Sequence, residues 1–551
     1  MSAPVEEKMA IEAANKAASK ATNSVANNVA RKYVSTVNAC KLCTPLGACL
    51  ALRGIEGAMP LLHGSQGCST YMRRYIISHF NEPIDIASSS LGEKNAIYGG
   101  AINLKKGITN VIRKYHPQLL GIATTCLTET IGDNVPMILK EYLKESGEYL
   151  EEAGEDLREN SFEDSRKDSR KDFGEDSRED PCEDSRKDSG EDSRGDSGDG
   201  SGEDFNEGSR ENVPPLIISV STPSYVGTHM DGFHRTVKAV VEALAEGGKR
   251  TGRVNLLPGF VSPADLRHLK EIMEGFGLEY TLLPDISQSL DAPILEEYHK
   301  IPDGGTPLSE IRAMGRAQAT IEFGRTLNSH TGANSYATAN SYTAAEYLQM
   351  RFAVERYSLG LPIGISETDR FFAVLEQLSG SPAPNCYRLE RGRLIDAYVD
   401  CHKYLFGQRA IIYGEEDLVV GLTSFLSEIG IVPVLCASGG KSGRFEESVR
   451  AAGAGNLTQI PLVREGMDFY QIEEEAESLK PDLLIGHSKG YPLARELDIP
   501  LIRVGFPIHD RIGGQRILHL GYRGAQRLLD QIVNTVIERK QNESSVGYTY
   551  M

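Results

Sequence analysis

The sequence predicts an α/β protein of three successive units, each a parallel sheet covered by helices on both faces. Three observations predict it. Short apolar runs ending in Gly, Pro, Ser or Asp alternate with longer amphipathic stretches, which is the strand–helix repeat of parallel sheets. The chain has 551 residues, too many for one core and enough for about three domains. Apolar residues make up 40% and charged residues 25%, which excludes wholesale disorder, a collagenous fibre and a disulfide-stapled miniprotein.

The first 36 residues, rich in Ala, Asn, Ser and Lys, form a tail without the apolar core of a secretory signal. The first unit spans 37–215, with a strand at Leu119–Thr125 and a helix around Pro136–Leu143. It is interrupted at 151–212, where Glu-Asp-Ser-Arg recurs at 163, 175, 183 and 191. This tract holds too few apolar side chains to repay ordering entropy, so disorder is expected. The second unit, 216–360, carries strands at Leu216–Ser221, Val254–Leu257 and Tyr280–Leu283. Its helices are expected at Phe233–Ala245, Pro263–Phe276 and Leu308–Phe323. In the third, 361–540, strands fall at Ala410–Tyr413, Val432–Leu435, Leu483–Ile485 and Leu501–Val504. Helices there are expected at Arg370–Leu378, Arg391–Leu405, Glu415–Ile429 and Ala525–Glu538. A second tail closes the chain at 541–551.

The net charge is −18, of which the 151–212 tract contributes −14. The remainder is nearly balanced and has no basic stripe, so no nucleic-acid partner is expected. No run approaches 18 apolar residues, so no membrane span is expected either. Nine cysteines without an export signal read as cytoplasmic thiols or metal ligands.

Cysteine placement is the most informative chemical feature. Cys40, Cys43, Cys49, Cys68 and Cys126 all precede the acidic tract. Cys43 lies in Cys-Thr-Pro-Leu-Gly, and Cys68 closes the Gly-rich turn His63-Gly-Ser-Gln-Gly-Cys. Cys126 follows a strand and opens a helix, at the edge where α/β sheets bind ligands and where a thiolate is stabilised. The glycines beside Cys68 would admit a bulky inorganic group and offer it N–H donors. Three thiolates are one short of the four an iron–sulfur cluster usually takes. A fourth ligand therefore comes from elsewhere in the chain, with Cys40 and Cys49 as local alternatives, or from a partner.

Other candidates have plainer readings. Cys386, Cys401 and Cys436 read as small buried hydrophobes, and Cys182 sits inside the acidic tract. Cys40-Lys-Leu-Cys43 lacks the preceding strand of a dithiol redox motif. Ser438-Gly-Gly-Lys-Ser442 has Leu435 where a P-loop needs its first Gly. His63, His229 and His487 lie near strand ends beside Gly or Ser and read as structural histidines.

The strings Pro60-Leu-Leu-His-Gly-Ser-Gln-Gly-Cys68, His79-Phe-Asn-Glu-Pro83 and Thr124-Thr-Cys-Leu-Thr-Glu-Thr-Ile-Gly-Asp133 resemble the β-type chains of the nitrogenase superfamily. So do Thr222-Pro-Ser-Tyr-Val-Gly227, Leu283-Pro-Asp-Ile-Ser-Gln-Ser-Leu-Asp291, Arg503-Val-Gly-Phe-Pro-Ile-His-Asp510 and Gly521-Tyr-Arg-Gly524. The resemblance runs from 37 to 540 outside the acidic tract. It implies the nitrogenase component 1 fold: three Rossmann-like subdomains with parallel sheets around a central cleft.

Two kinds of β-type chain compete. The Met59-Pro60 approach to Cys68, the Gly513-Gly514 segment and the short region 437–500 are similar to chains of the scaffold on which the iron–molybdenum cofactor is matured. Cys43, Cys68 and Cys126 together, with Ser224 beside them, match the half-site of the catalytic β subunit of the molybdenum–iron protein. A related nitrogenase-like reductase subunit is a further alternative. The resemblance favours the scaffold chain, a biosynthetic subunit rather than a catalyst. It implies an α2β2 heterotetramer with a homologous α-type chain, in which Cys43, Cys68 and Cys126 hold part of an interfacial cluster. A 4Fe–4S cluster is favoured there, with a P-cluster-like 8Fe–7S group as the alternative. It implies, too, that the partner holds most of the cofactor precursor. Docking of an iron-protein reductase and of cofactor-core donor and acceptor proteins is implied as well.

Overall fold

A computed structural model describes residues 39–145, 214–294, 299–327 and 342–546. The acidic tract, Cys182 and most of both tails lie outside the described residues. Within these bounds 39–135 and 215–546 cluster as one unit. Residues 135–145 are helical, where a helix was expected.

Three parallel sheets carry the fold. The first has the order β2-β1-β3-β4, with β1 Ala58–His63, β2 Ala87–Ser88, β3 Leu119–Thr124 and β4 Leu216–Val220. In the second the order is β6-β5-β7-β8, with β5 Val254–Leu257, β6 Tyr280–Leu282, β7 Ala319–Phe323 and β8 Glu355–Leu359. The third runs β11-β10-β9-β12-β13, with β9 Arg409–Gly414, β10 Val432–Ser438, β11 Leu462–Arg464, β12 Leu483–Gly486 and β13 Leu501–Arg503. Every pairing is parallel. Strands β1, β3, β5, β7 and β12 are buried end to end, the unbroken apolar reading that two helix-covered faces require.

The structure departs from the sequence reading at several places; β2, β8 and β11 were not read as strands, and three further departures bear on the connectivity. Leu216–Val220 completes the first sheet by pairing with β3, so it does not open the second unit. The expected helix Leu308–Phe323 stops at Ala313 and passes through a 3-10 turn, Met314–Arg316, into strand β7. A Cβ on Gly315 would meet the carbonyl oxygen of Glu246 at 2.5 Å, and the β-branched and aromatic residues Thr320, Ile321 and Phe323 then favour a central strand. Strand β1 is not among the strands read from the sequence, and its Pro60 cannot donate to a ladder. It is tolerated here because β2 pairs only with Leu61 and Leu62.

Four helices position the site: α1 Thr44–Arg53, α2 Gln66–Phe80, α3 Cys126–Ile131 and α4 His229–Leu244. Helices α1 and α4 meet through glycines. A Cβ on Gly47 would lie 1.6 Å from the carbonyl oxygen of His229, and one on Gly232 would lie 1.9 Å from that of Thr44. Backbone approach this close needs hydrogen for a side chain. Around the contact Leu46, Leu50, Phe233 and Val240 are fully or almost fully buried, each contributing about 2 kcal/mol. Among the described residues no helix is long and apolar enough to cross a membrane.

Candidate functional site at the edge of the first sheet

Cys43, Cys68 and Cys126 are brought to one edge, at the carboxyl ends of β1, β3 and β4. Cys126 is the first residue of α3, two positions beyond β3. Cys68 is the third residue of α2, five beyond β1. Cys43 is the N-cap of α1. Its thiol is exposed, and the Cys68 and Cys126 thiols are half-buried.

A chain of hydrogen bonds links the three loops. Thr44 Oγ1 donates to the carbonyl of Pro223 across 3.3 Å, and the next residue, Ser224, donates its backbone N–H to Cys126 Sγ at 3.2 Å. On the other side Thr125 N–H donates to the carbonyl of His63 at 3.1 Å. Gly64 lies so close that a Cβ there would come within 2.2 Å of the Thr125 hydroxyl. One turn further on, Ser65 Oγ donates to Cys68 Sγ at 3.6 Å. Gly64 therefore serves the approach of Thr125 and not of an inorganic group. Gly67 faces open space, and a Cβ there would have only Ser65 Oγ, at 3.8 Å, for a neighbour.

Helix α3 has only six residues, too few to carry much of the dipole effect expected at Cys126. The Ser224 N–H supports that sulfur directly instead. Ser224 thus enters through its backbone, and its hydroxyl is not the contact.

Cys40 and Cys49, the local alternatives, are buried, and burial pushes each thiol up to about 12. A thiol so raised is a poor metal ligand at neutral pH. Cys436 is alike, buried, pushed to about 12 and hydrogen-bonded with Thr423 Oγ1 at 3.3 Å. Cys401 is half-buried, but Cys386 is exposed. It sits in the first turn of the helix Asn385–Leu405, on the face away from the core, and not buried as expected.

Of the three strand-end histidines, His63 has both ring nitrogens partnered, whereas Nδ1 of His229 and of His487 is buried without a partner among the described residues. His63 holds Ser89 Oγ at 2.9 Å and Asp133 Oδ2 at 3.2 Å, one on each ring nitrogen, and burial lowers its pKa. His229 Nε2 meets Glu415 Oε1 at 3.1 Å, joining α4 to the end of β9. Burial lowers His487 to about 4, and its Nε2 lies 4.0 Å from Cys40 Sγ.

Among the described residues no three of His, Cys, Asp and Glu close on a single point as one metal ion requires. The three cysteines stand at one sheet edge, and thiolates are the residues that hold iron–sulfur groups. Two of the three sulfurs already accept protein hydrogen bonds. The residues present therefore fit part of an iron–sulfur cluster.

A separate cleft of about 730 Å³, including its mouth, is lined by His79, Phe260, Glu415, Phe506, His519 and neighbours, with no cysteine among them. A thiolate-held cluster does not fit there.

Fold and edge together define a protein of three parallel sheets with a thiol-bearing rim. The family model of the nitrogenase component 1 type oxidoreductases matches residues 43–151 and 199–537. The nitrogenase molybdenum-iron protein beta chain of Clostridium pasteurianum is 31% identical over 510 residues, 92% of this chain and 94% of that protein. The corresponding beta chain of Methanothermobacter thermautotrophicus is 32% identical over 507 residues, 91% and 94% of the two. A solved structure, nitrogenase Cp1 at pH 6.5, superposes with a TM-score of 0.76 at 30% identity, covering 94% of this chain and 96% of that one. The chain belongs to the nitrogenase component 1 family, on its beta-type side.

Proposed function

We propose that the chain is a NifN-type subunit of the scaffold on which the iron–molybdenum cofactor of nitrogenase is matured, paired with a NifE-like α-type chain in an α2β2 heterotetramer. Cys43, Cys68 and Cys126 would hold this chain's half of an interfacial iron–sulfur cluster, a 4Fe–4S group in this reading. The cluster, when bound, supplies one-electron transfer. The chain's residues set its surroundings: the Ser224 N–H donates to the Cys126 sulfur, Ser65 Oγ donates to that of Cys68, and Gly67 leaves space beside it.

The observation that carries the shared site is the rim itself, three thiols whose surroundings are apolar and exposed. Tyr71 lies three residues after Cys68, Tyr225 and Val226 follow Ser224, and Ile97, Tyr98 and Ile102 flank the glycines beside Asp133; all six are exposed. An apolar patch around half a ligand set suits a homologous partner.

The scaffold reading is supported at Gly513-Gly514. Gly513 has φ +90°, and a Cβ on Gly514 would lie 2.7 Å from the His79 ring. Both glycines are thus built into the fold, at the segment similar to scaffold chains. The complete cysteine set and the molybdenum-iron names of the relatives favour a second reading, the catalytic β subunit with a P-cluster half-site.

An assay of the anaerobically purified complex separates them. A scaffold, supplied with cofactor core from its donor, passes matured cofactor to a cofactor-free acceptor and does not reduce dinitrogen. Reduction of dinitrogen by the complex with its iron-protein reductase would establish the second reading.

A further inference from the structure

The three thiols do not all rest on the same support. Cys68 and Cys126 follow strands of the first sheet, whereas the strap that leads to Cys43, residues 39–41, lies on the third; Leu42 is held by α4, its carbonyl accepting from the His229 N–H at 3.0 Å. Ala39 forms an antiparallel bridge with Asp468. Cys40 is buried against Tyr413, Leu435 and Phe469 in a cluster belonging to the third sheet. A Cβ on Gly439 would meet the Cys40 carbonyl oxygen at 2.5 Å.

One side chain closes this docking. Lys489, in the 3-10 turn Ser488–Gly490 after β12, donates from Nζ to the carbonyl of Ala39 at 3.0 Å and to that of Lys41 at 3.3 Å. The same ammonium sits 5.9 Å above the Tyr75 ring of α2, the helix that carries Cys68, and its charge acts on the Cys40 and Cys43 sulfurs. A lysine whose donors go to the carbonyls of Ala39 and Lys41, the latter two residues short of Cys43, helps set where Cys43 begins α1. It also places a positive charge beside a site that gathers thiolates.

We propose that Lys489 is a positioning residue for the Cys43 ligand: it pins the 39–41 strap to the third sheet and adds a positive charge on that side of the site. The proposal rests on the cluster reading above for its consequences at iron, and on the strap geometry alone for the rest. Arginine can replace both functions, because it keeps the charge and several donors. Methionine keeps the stem and removes both.

The test uses the full chain, alone and co-purified anaerobically with its α-type partner, as native protein, Lys489→Met and Lys489→Arg. The first readout needs no iron: the maleimide labelling rate of Cys40 in the chain, resolved by mass spectrometry. Lys489→Met should raise it at least about tenfold, as expected for a loss near 1.4 kcal/mol of strap docking, and Lys489→Arg should stay near native. The second is the cluster's midpoint potential in the complex, which should move negative in Lys489→Met and recover in Lys489→Arg. Should Lys489→Met fail to fold, Gly439→Ala lifts the strap from its other side with the lysine intact. It should speed Cys40 labelling and lower iron content. Unchanged Cys40 labelling in both variants overturns the docking role. Faster labelling with an unmoved potential overturns the role toward the cluster. Faster labelling in a complex whose native form holds no iron leaves the strap inference standing and removes the cluster reading instead.

Discussion

The backbone N–H of Ser224, just past β4, donates to Sγ of Cys126, just past β3, at 3.2 Å. Neighbouring parallel strands thus present a sulfur already accepting a protein hydrogen bond, the kind of outer contact that tunes metal–thiolate sites. Replacing Cys68 or Cys126 with Ala should lower the iron content of the complex sharply. Cys401→Ala should leave it unchanged, since Cys401 lies on the helix Asn385–Leu405, away from the rim. Iron per heterotetramer, measured by elemental analysis, checks the pair, and equal loss in both would refute the ligand assignment.

The contact of α1 with α4 should tolerate no side chain. Gly47→Ala places a methyl 1.6 Å from the His229 carbonyl oxygen and should cost at least about 3 kcal/mol. Gly392, with nothing within 4 Å of its would-be Cβ, lies inside a helix. Gly392→Ala should be neutral or stabilising by about 0.5–1 kcal/mol. Urea unfolding of both variants decides it, and a Gly47→Ala protein as stable as native would contradict the close packing.

Stability should carry a pH signature from Glu322 in β7. Burial pushes this carboxyl up from 4.5 to about 7, against the opposing pull of the Thr343 hydroxyl and the Ala345 N–H. The folded chain therefore holds a proton that the unfolded chain releases earlier, so stability falls as pH rises from 4.5 through 7. At about 1.4 kcal/mol per pH unit, the whole effect is about 3 kcal/mol. Glu322→Gln should remove that slope, matching native near pH 4 and exceeding it above 7. Unfolding free energies across that range that run parallel for the two proteins would rule it out.

The acidic tract should be dispensable. The family model skips residues 152–198, and loop closure entropy grows only logarithmically with length. Replacing 155–210 by a short Gly/Ser linker should leave folding, partner binding and iron content intact. Loss of all three would show the tract to be structural, and loss of partner or reductase binding alone would make it a docking arm.

What the sequence revealed followed the periodicity and the odd turns. Val254–Leu257 and the ends of β3, β9 and β12 were legible as apolar runs stopped by Gly, Pro or Thr. The thiol rim was legible because Cys43, Cys68 and Cys126 stand in loops of unusual composition. Elsewhere local signals misled. Strand β1 was not read at all, and only the pairing of β2 shows that the Pro60 side of the strand is open. Helix-forming Ala, Met and Arg hid β7, which burial in a central strand overrides. Lys489 carried no sequence signal at all, because its partners Ala39 and Lys41 lie about 450 positions away.

The central claim is that this chain holds half of a shared cluster. Iron quantitation with low-temperature electron paramagnetic resonance, on the chain alone and on the anaerobically co-purified complex, tests it most directly. The account predicts an iron-poor chain alone and, in the complex, a four-iron interfacial cluster per αβ pair that is lost when Cys43, Cys68 and Cys126 are replaced together. A well-behaved monomer that binds a full complement of iron without a partner, or a complex that keeps its interfacial cluster in the triple variant, would contradict it.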